Sequence, residues 1–175
     1  MSYKNVCVAG GGVLGSQIAF QAAYCGFDVT IWLRSEGSIG RTQPKIDHVR
    51  EEYIAAIEGM ADGTGGWCPG IADSDKPFDK QAALDAVERA YGSLKLELDL
   101  AAAVSDADLV IESMAEDTQA KIEFYQKLAP VLPSKTVVVT NSSTLLPSTF
   151  AKYTGRPEKY LSLHFANSIW KNNMT

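Results

Sequence analysis

The sequence is poor in cysteine, in histidine and in positive charge, and it has no long uninterrupted apolar run. Its three cysteines, Cys7, Cys25 and Cys68, are odd in number and form no CxxC pair, which argues against a disulfide framework and against a zinc site; no metal is expected. Cys7 stands inside an apolar run and reads as a small core residue. Lys and Arg number 16 against 21 Asp and Glu, a net charge of -5. Without clustered positive charge there is nothing to hold a phosphate backbone, so nucleic acid is not an expected partner. The run MSYKNVCVAGGG is broken by glycine too early to be a signal peptide or a membrane span. A cytoplasmic protein without a membrane partner is the expectation.

What is present is a core and an alternation. With 175 residues, 46% of them hydrophobic, the chain can bury one good core, and a single domain over 1–175 is expected. NVCVAG (5 to 10) is a short β-branched run that ends in glycine. VLGSQIAFQAAYCG (13 to 26) follows it, with Ile18, Ala19, Ala22 and Ala23 on one helical face and Gly26 as a stop. DVTIWL (28 to 33), ADLVIES (107 to 113), KTVVVTN (135 to 141) and KYLSLHF (159 to 165) are further strand-like runs, and SLKLELDL (93 to 100) is a candidate sixth. Strands alternating with helices predict βαβ units, and so an α/β, Rossmann-like, doubly wound and mostly parallel sheet. The stretch from about 41 to 92 interrupts the pattern. Ile46, Val49, Tyr53, Ile54 and Ile57 form one apolar helix face, and Leu84, Val87 and Tyr91 another, which predicts a helical hairpin inserted after the second strand. Its glycine-rich tip, EGMADGTGGWCPGIADSD, is expected to be a mobile loop.

Gly10, Gly12 and Gly15 make G-x-G-x-x-G between a strand and a helix, with a second strand one unit later. The first glycine permits the tight turn, the second lets backbone N–H groups approach a pyrophosphate, and the third lets the helix pack on the sheet. A dinucleotide site follows, with Val13 and Leu14 counted in the same loop. An NAD site usually ends its second strand with a carboxylate for the ribose 2′-OH. Here Leu33 is followed by Arg34 and Ser35. A guanidinium and a hydroxyl suit a 2′-phosphate, so the cofactor is expected to be NAD(P) with a preference for NADP. Arg34 as a solvated loop charge, or stacked on adenine, is the competing reading.

The segments VAGGGVLGSQIA, DADLVIESMAEDTQAK, VVVTNSSTL and LSLHFAN, in this order and spacing, resemble the N-terminal NAD-binding domain of the 3-hydroxyacyl-CoA dehydrogenases. The resemblance implies an oxidoreductase of fatty acid metabolism or a relative acting on small 3-hydroxy acids, with acyl-CoA or a 3-hydroxy acid as substrate. Carried over, it makes His164 the general base, with Ser143 and Asn167 hydrogen-bonding the reacting oxygen and the nicotinamide, and it puts Glu116 and Lys121 in the cofactor crevice. An imidazole, whose ordinary pKa is about 6.5, can accept and return a proton near neutral pH, and Ser and Asn can hold an alkoxide without adding charge. From the residues alone, His164 could equally be a packing residue, NSST a turn or cap, and Glu116 and Lys121 ordinary helix charges.

Three departures from the family stand out. Leu33 replaces its acidic residue, Ser168 stands where proline usually follows the Asn, and the hairpin tip is longer than expected for an acyl-CoA enzyme. The family pairs its histidine with a Glu further on, and here no acidic residue follows Glu158. The family's C-terminal helical domain, which closes the cleft and forms a homodimer, is also absent from these residues. The chain is therefore expected to be the cofactor half of an enzyme, binding dinucleotide with little turnover by itself.

Overall fold

The structure, a computed structural model, describes residues 3–172. Strand β1 (Asn5–Ala9) runs through the glycine turn into α1 (Val13–Tyr24), and β2 (Asp28–Trp32) follows. Then come α2 (Glu36–Asp62), α3 (Lys80–Ser93), β3 (Lys95–Glu97), α4 (Leu100–Val104) and β4 (Leu109–Glu112). The remaining elements are α5 (Thr118–Leu128), β5 (Val137–Thr140), α6 (Pro147–Phe150), β6 (Tyr160–Ser162) and α7 (Ile169–Asn172). All strand pairs are parallel, in the order β3-β2-β1-β4-β5-β6. This is the doubly wound arrangement, with its reversal of order between β1 and β4.

Both faces of the sheet are buried, and the period of two in β1 shows how. Val6 and Val8 join Val29, Ile31 and Ile111 beneath α1, α2 and α3, while Cys7 and Ala9 join Val110 and Val138 beneath α4 and α5. Burial pushes the Cys7 thiol up to about 12 despite a backbone hydrogen bond, consistent with a core residue. Side chains of Asp79, Asp99 and Asp117 cap α3, α4 and α5 by accepting from the third residue on. Among the described residues no helix is long and apolar enough to cross a membrane.

Three expectations change. The hairpin begins at Glu36 rather than near 41, and α2 runs 27 residues through Pro44 before Gly63, at φ 75°, ends it. The strands after 107 are shorter than their apolar runs, and in the last of them the chain leaves the ladder before His164. The hairpin tip is not loose along its length. Cys68 and Ile71 are buried, the carbonyls of Gly70 and Ile71 accept from Gln21 Nε2 (2.8 Å) and Tyr24 Oη (3.1 Å), and Gly70 N donates to Trp170 O (2.9 Å). A Cβ on Gly70 would lie 2.6 Å from Trp170 Cα. That glycine therefore seals the tip against α7.

A candidate dinucleotide and catalytic cleft

The glycines at the end of β1 divide by what a side chain would meet. Gly10 has φ 117°, and a Cβ there would lie 2.5 Å from Ser113 O; one on Gly15 would lie 2.1 Å from Gly10 O. Both are demanded by the fold. Gly12 has an ordinary φ of -70°, and a Cβ on it would meet nothing within 4 Å. The first backbone bond of α1 runs from Ser16 N to Gly12 O, and no side chain caps the helix. The N–H groups of Val13, Leu14 and Gly15 are thus left for a ligand beside open space, which fits a pyrophosphate. Gly11, which the G-x-G-x-x-G pattern leaves unspecified, is constrained too: a Cβ there would strike Thr42 Oγ1 at 2.1 Å.

Two clefts flank this loop. The first is bounded by Gly10 to Gly12, Leu33 and the start of α2, and carries Arg34, Ser38, Arg41 and Lys45; none of the described residues lining it is acidic. Leu33 is buried where a ribose-binding carboxylate would otherwise stand. Ser35 does not line this cleft: its hydroxyl meets Ser38 Oγ (3.0 Å), and Ser38 also accepts from Arg41 Nη2 (3.0 Å). The expected pair Arg34 and Ser35 is thus replaced by Arg34 with Ser38, Arg41 and Lys45. The last three share a helix face by their spacing, a signal present in the sequence once α2 is known to start at Glu36.

The second cleft brings together Gly12, Leu14, Gly15, Glu116, Asn141, Ser143 and His164. Glu116, Ser143 and His164 come from the segments that follow β4, β5 and β6, at the carboxyl edge where open α/β sheets bind ligands. His164 Nδ1 lies 2.9 Å from Asn141 O. A carbonyl can only accept, so Nδ1 carries the proton and Nε2 is left as the basic nitrogen. Glu116 accepts from Ser142 Oγ (2.6 Å) and Thr144 Oγ1 (3.0 Å). Burial raises its pKa, but those two bonds and the Lys121 charge outweigh burial and lower it, which keeps Glu116 ionised.

Lys121, Asn167 and Val13 fall outside this cleft. Lys121 is buried behind it, with Nζ 2.6 Å from Glu112 Oε1 and 3.9 Å from Glu116 Oε1. A helix spacing places it on the sheet side of α5, which the charge alone did not reveal. Asn167 is exposed, and its carbonyl accepts from Asn172 Nδ2 (2.8 Å). Ser168 adopts φ 56° and donates its N–H to Gln17 Oε1 (2.9 Å); proline, with φ near -65° and no N–H, could do neither. Val13 is 61% exposed and lines neither cleft.

A parallel sheet in this order, with a glycine loop whose central residue leaves room for a diphosphate at its carboxyl edge, defines a dinucleotide-binding domain. The family model "3-hydroxyacyl-CoA dehydrogenase, NAD binding domain" matches residues 70–174, and the chain belongs to that family. It is 29% identical over 168 residues to hydroxyacyl-coenzyme A dehydrogenase, mitochondrial, of Rattus norvegicus, covering 95% of this chain and 47% of that protein. It is 31% identical over 166 residues to 3-hydroxybutyryl-CoA dehydrogenase of Bradyrhizobium diazoefficiens, covering 95% and 48%. Among solved structures, a diketoreductase described as acting on dicarbonyl compounds superposes with a TM-score of 0.78 at 40% identity, covering 99% of this chain and 53% of that one. M. tuberculosis FadB2 superposes with a TM-score of 0.74 at 27% identity, covering 95% and 50%. The chain spans about half the length of the relatives it matches.

Proposed function

We propose that this chain is a single domain, residues 1–175, forming the cofactor-binding part of an NAD(P)-dependent oxidoreductase. The reaction is hydride transfer between the dinucleotide and a 3-hydroxyacyl-CoA or a related 3-hydroxy acid. The observation that carries this reading is that His164 and Ser143 line the same cleft as Gly12 and the first turn of α1. A bound NAD(P) supplies the hydride acceptor, or the donor in reverse. His164, through Nε2, takes the substrate hydroxyl proton as the carbonyl forms and returns it in the opposite direction. The Ser143 hydroxyl hydrogen-bonds the reacting oxygen without adding charge. The N–H groups of Val13, Leu14 and Gly15 hold the diphosphate in the space that Gly12 leaves open and the turn at Gly10 permits, and Glu116 faces the cofactor side of the cleft. Lys121 acts from behind, pairing with Glu112 and placing its charge 3.9 Å from Glu116. Asn167, exposed on the segment that follows His164, keeps the role the resemblance gives it, a hydrogen bond to the nicotinamide.

The cofactor preference we propose is NADP, supported by three cations and the absence of an acid among the described residues lining the first cleft. The 40% likeness to a diketoreductase favours a small dicarbonyl or 3-hydroxy acid over an acyl-CoA. Because the chain spans half of its relatives, we propose that residues 1–175 bind cofactor but turn over little by themselves. We further propose that the longer protein is a cytoplasmic homodimer. The test is a steady-state assay of the longer protein and of 1–175, with acetoacetyl-CoA and with a small 3-oxo acid, each with NADH and NADPH. Turnover in the longer protein only, lost in His164→Gln, is expected. Vigorous turnover by 1–175, or an active His164→Gln variant, would show the reading to be wrong.

A further inference from the structure

The parallel ladder between β5 and β6 ends abnormally beside His164. Its last regular bond runs from Leu163 N to Thr140 O (2.9 Å). In a regular continuation Ser142 N would bond Leu163 O, and Phe165 N would bond Ser142 O. Instead Ser142 N donates to Thr140 Oγ1 (3.2 Å), and Phe165 N donates to Asn141 Oδ1 (2.9 Å). Two side chains have taken over the ladder's bonds. Ser142 and Ser143 are thereby released to diverge from the strand that carries His164, and the cleft opens between them.

Asn141 is held from every side. Its N–H donates to Glu112 O (2.8 Å), its Nδ2 donates to Ser113 Oγ (3.2 Å), and the residue is 7% exposed. Its carbonyl, having no strand partner, accepts from His164 Nδ1 at 2.9 Å. One residue therefore grips the imidazole through its backbone and the next residue, Phe165, through its side chain.

We propose that Asn141 is the positioning residue of this site: it fixes His164 in the Nδ1–H tautomer and leaves Nε2 as the basic atom toward the cleft. This rests on the reading of His164 as the base, but the tautomer can be measured without turnover. A free imidazole favours no such arrangement, and a net hydrogen bond shifts such an equilibrium by roughly threefold to tenfold.

The experiment is long-range 1H–15N NMR of the histidines in the 175-residue chain at mildly alkaline pH, with His164 assigned by its loss in His164→Gln. The unsubstituted chain should show Nδ1 protonated and Nε2 bare. An Nε2–H tautomer there would overturn the proposal with no variant needed. Asn141→Ala, which removes the grip on Phe165, should move the tautomer ratio several-fold toward the free imidazole in a chain that still unfolds cooperatively. Asn141→Asp keeps the acceptor for Phe165 N and should keep the Nδ1–H form. A folded Asn141→Ala chain with an unmoved tautomer would overturn the role given to the side chain. A correct tautomer together with an active His164→Gln longer protein would remove the base reading and leave the positioning geometry intact.

Discussion

Lys121 Nζ and Glu112 Oε1 lie 2.6 Å apart at a place where neither side chain is more than 1% exposed. Glu112 also accepts from Met114 N (2.7 Å), Thr140 Oγ1 (2.7 Å) and Tyr125 Oη (3.1 Å). The pair thus joins the end of β5 and the segment after β4 to α5, underneath the cleft. Its existence is no proof of net stability, because two desolvated charges often do no better than apolar residues of the same volume. Breaking it is another matter.

Lys121→Met strands a carboxylate in the core and should cost about 3 to 5 kcal/mol, read as a lower urea midpoint with an unchanged slope. Adding Glu112→Gln should recover much of the loss, since the amide can still meet Met114 N. A double variant as unstable as the single one would mean that the bonds from Thr140 and Tyr125 to an ionised oxygen, rather than the charge pair, carry the effect.

The glycines predict opposite phenotypes. Gly12→Val places its side chain in open space, so it should abolish dinucleotide binding and leave the melting temperature nearly unchanged. Gly15→Ala drives a methyl against Gly10 O and should lower the melting temperature. Calorimetric titration and thermal melts of both variants check this; unaltered affinity in Gly12→Val would take the diphosphate away from this loop.

Arg34→Ala should weaken NADP binding by roughly tenfold or more, since a charged phosphate contact contributes about 1.5 to 3 kcal/mol, and should leave NAD binding nearly unchanged. Arg41→Ala should act in the same direction, because Arg41 lines the same cleft. Equal losses for both cofactors, or a clear NAD preference in the parent chain, would assign these cations to the adenine side or to solvent.

The acid limb of stability should depend on Asp108. Its Oδ2 accepts from the N–H groups of Asn5 and Lys4 at 2.8 Å each, and its Oδ1 pairs with Lys135 at 2.8 Å. The bond from Asn5, then Lys135 and Lys4, hold this carboxyl well below the usual range. A depressed folded pKa contributes stability that is full above the unfolded value near 4 and is lost as pH falls below it. Asp108→Asn should therefore flatten the decline below about pH 4 in chemical denaturation. An acid limb of unchanged steepness would assign the decline to other carboxylates.

The alternation of β-branched runs with helical faces, the glycine loop in its strand-to-helix context and the segments quoted for the family were legible in the sequence, because each is a local pattern whose period or spacing is set within one or two elements. The family and the doubly wound sheet followed from them. The remaining features depend on residues far apart in the chain. Only the packing of α5 on the sheet made Lys121 a buried partner of Glu112. Only the true start of α2 put Ser38, Arg41 and Lys45, and not Ser35, on the first cleft. The tip near Gly70 read as loose because its partners, Gln21, Tyr24 and Trp170, lie 46 or more positions away and supply bonds that no local pattern encodes. The grip of Asn141 on His164 spans 23 positions and exists because Met114 N, the next donor on the β4 side, turns to Glu112 Oε1 and leaves the Asn141 carbonyl without a strand partner. Short-range periodicity chose the elements; the cleft was decided where strand ends from separate βαβ units meet, and there a free backbone carbonyl takes whichever donor the neighbouring strand presents.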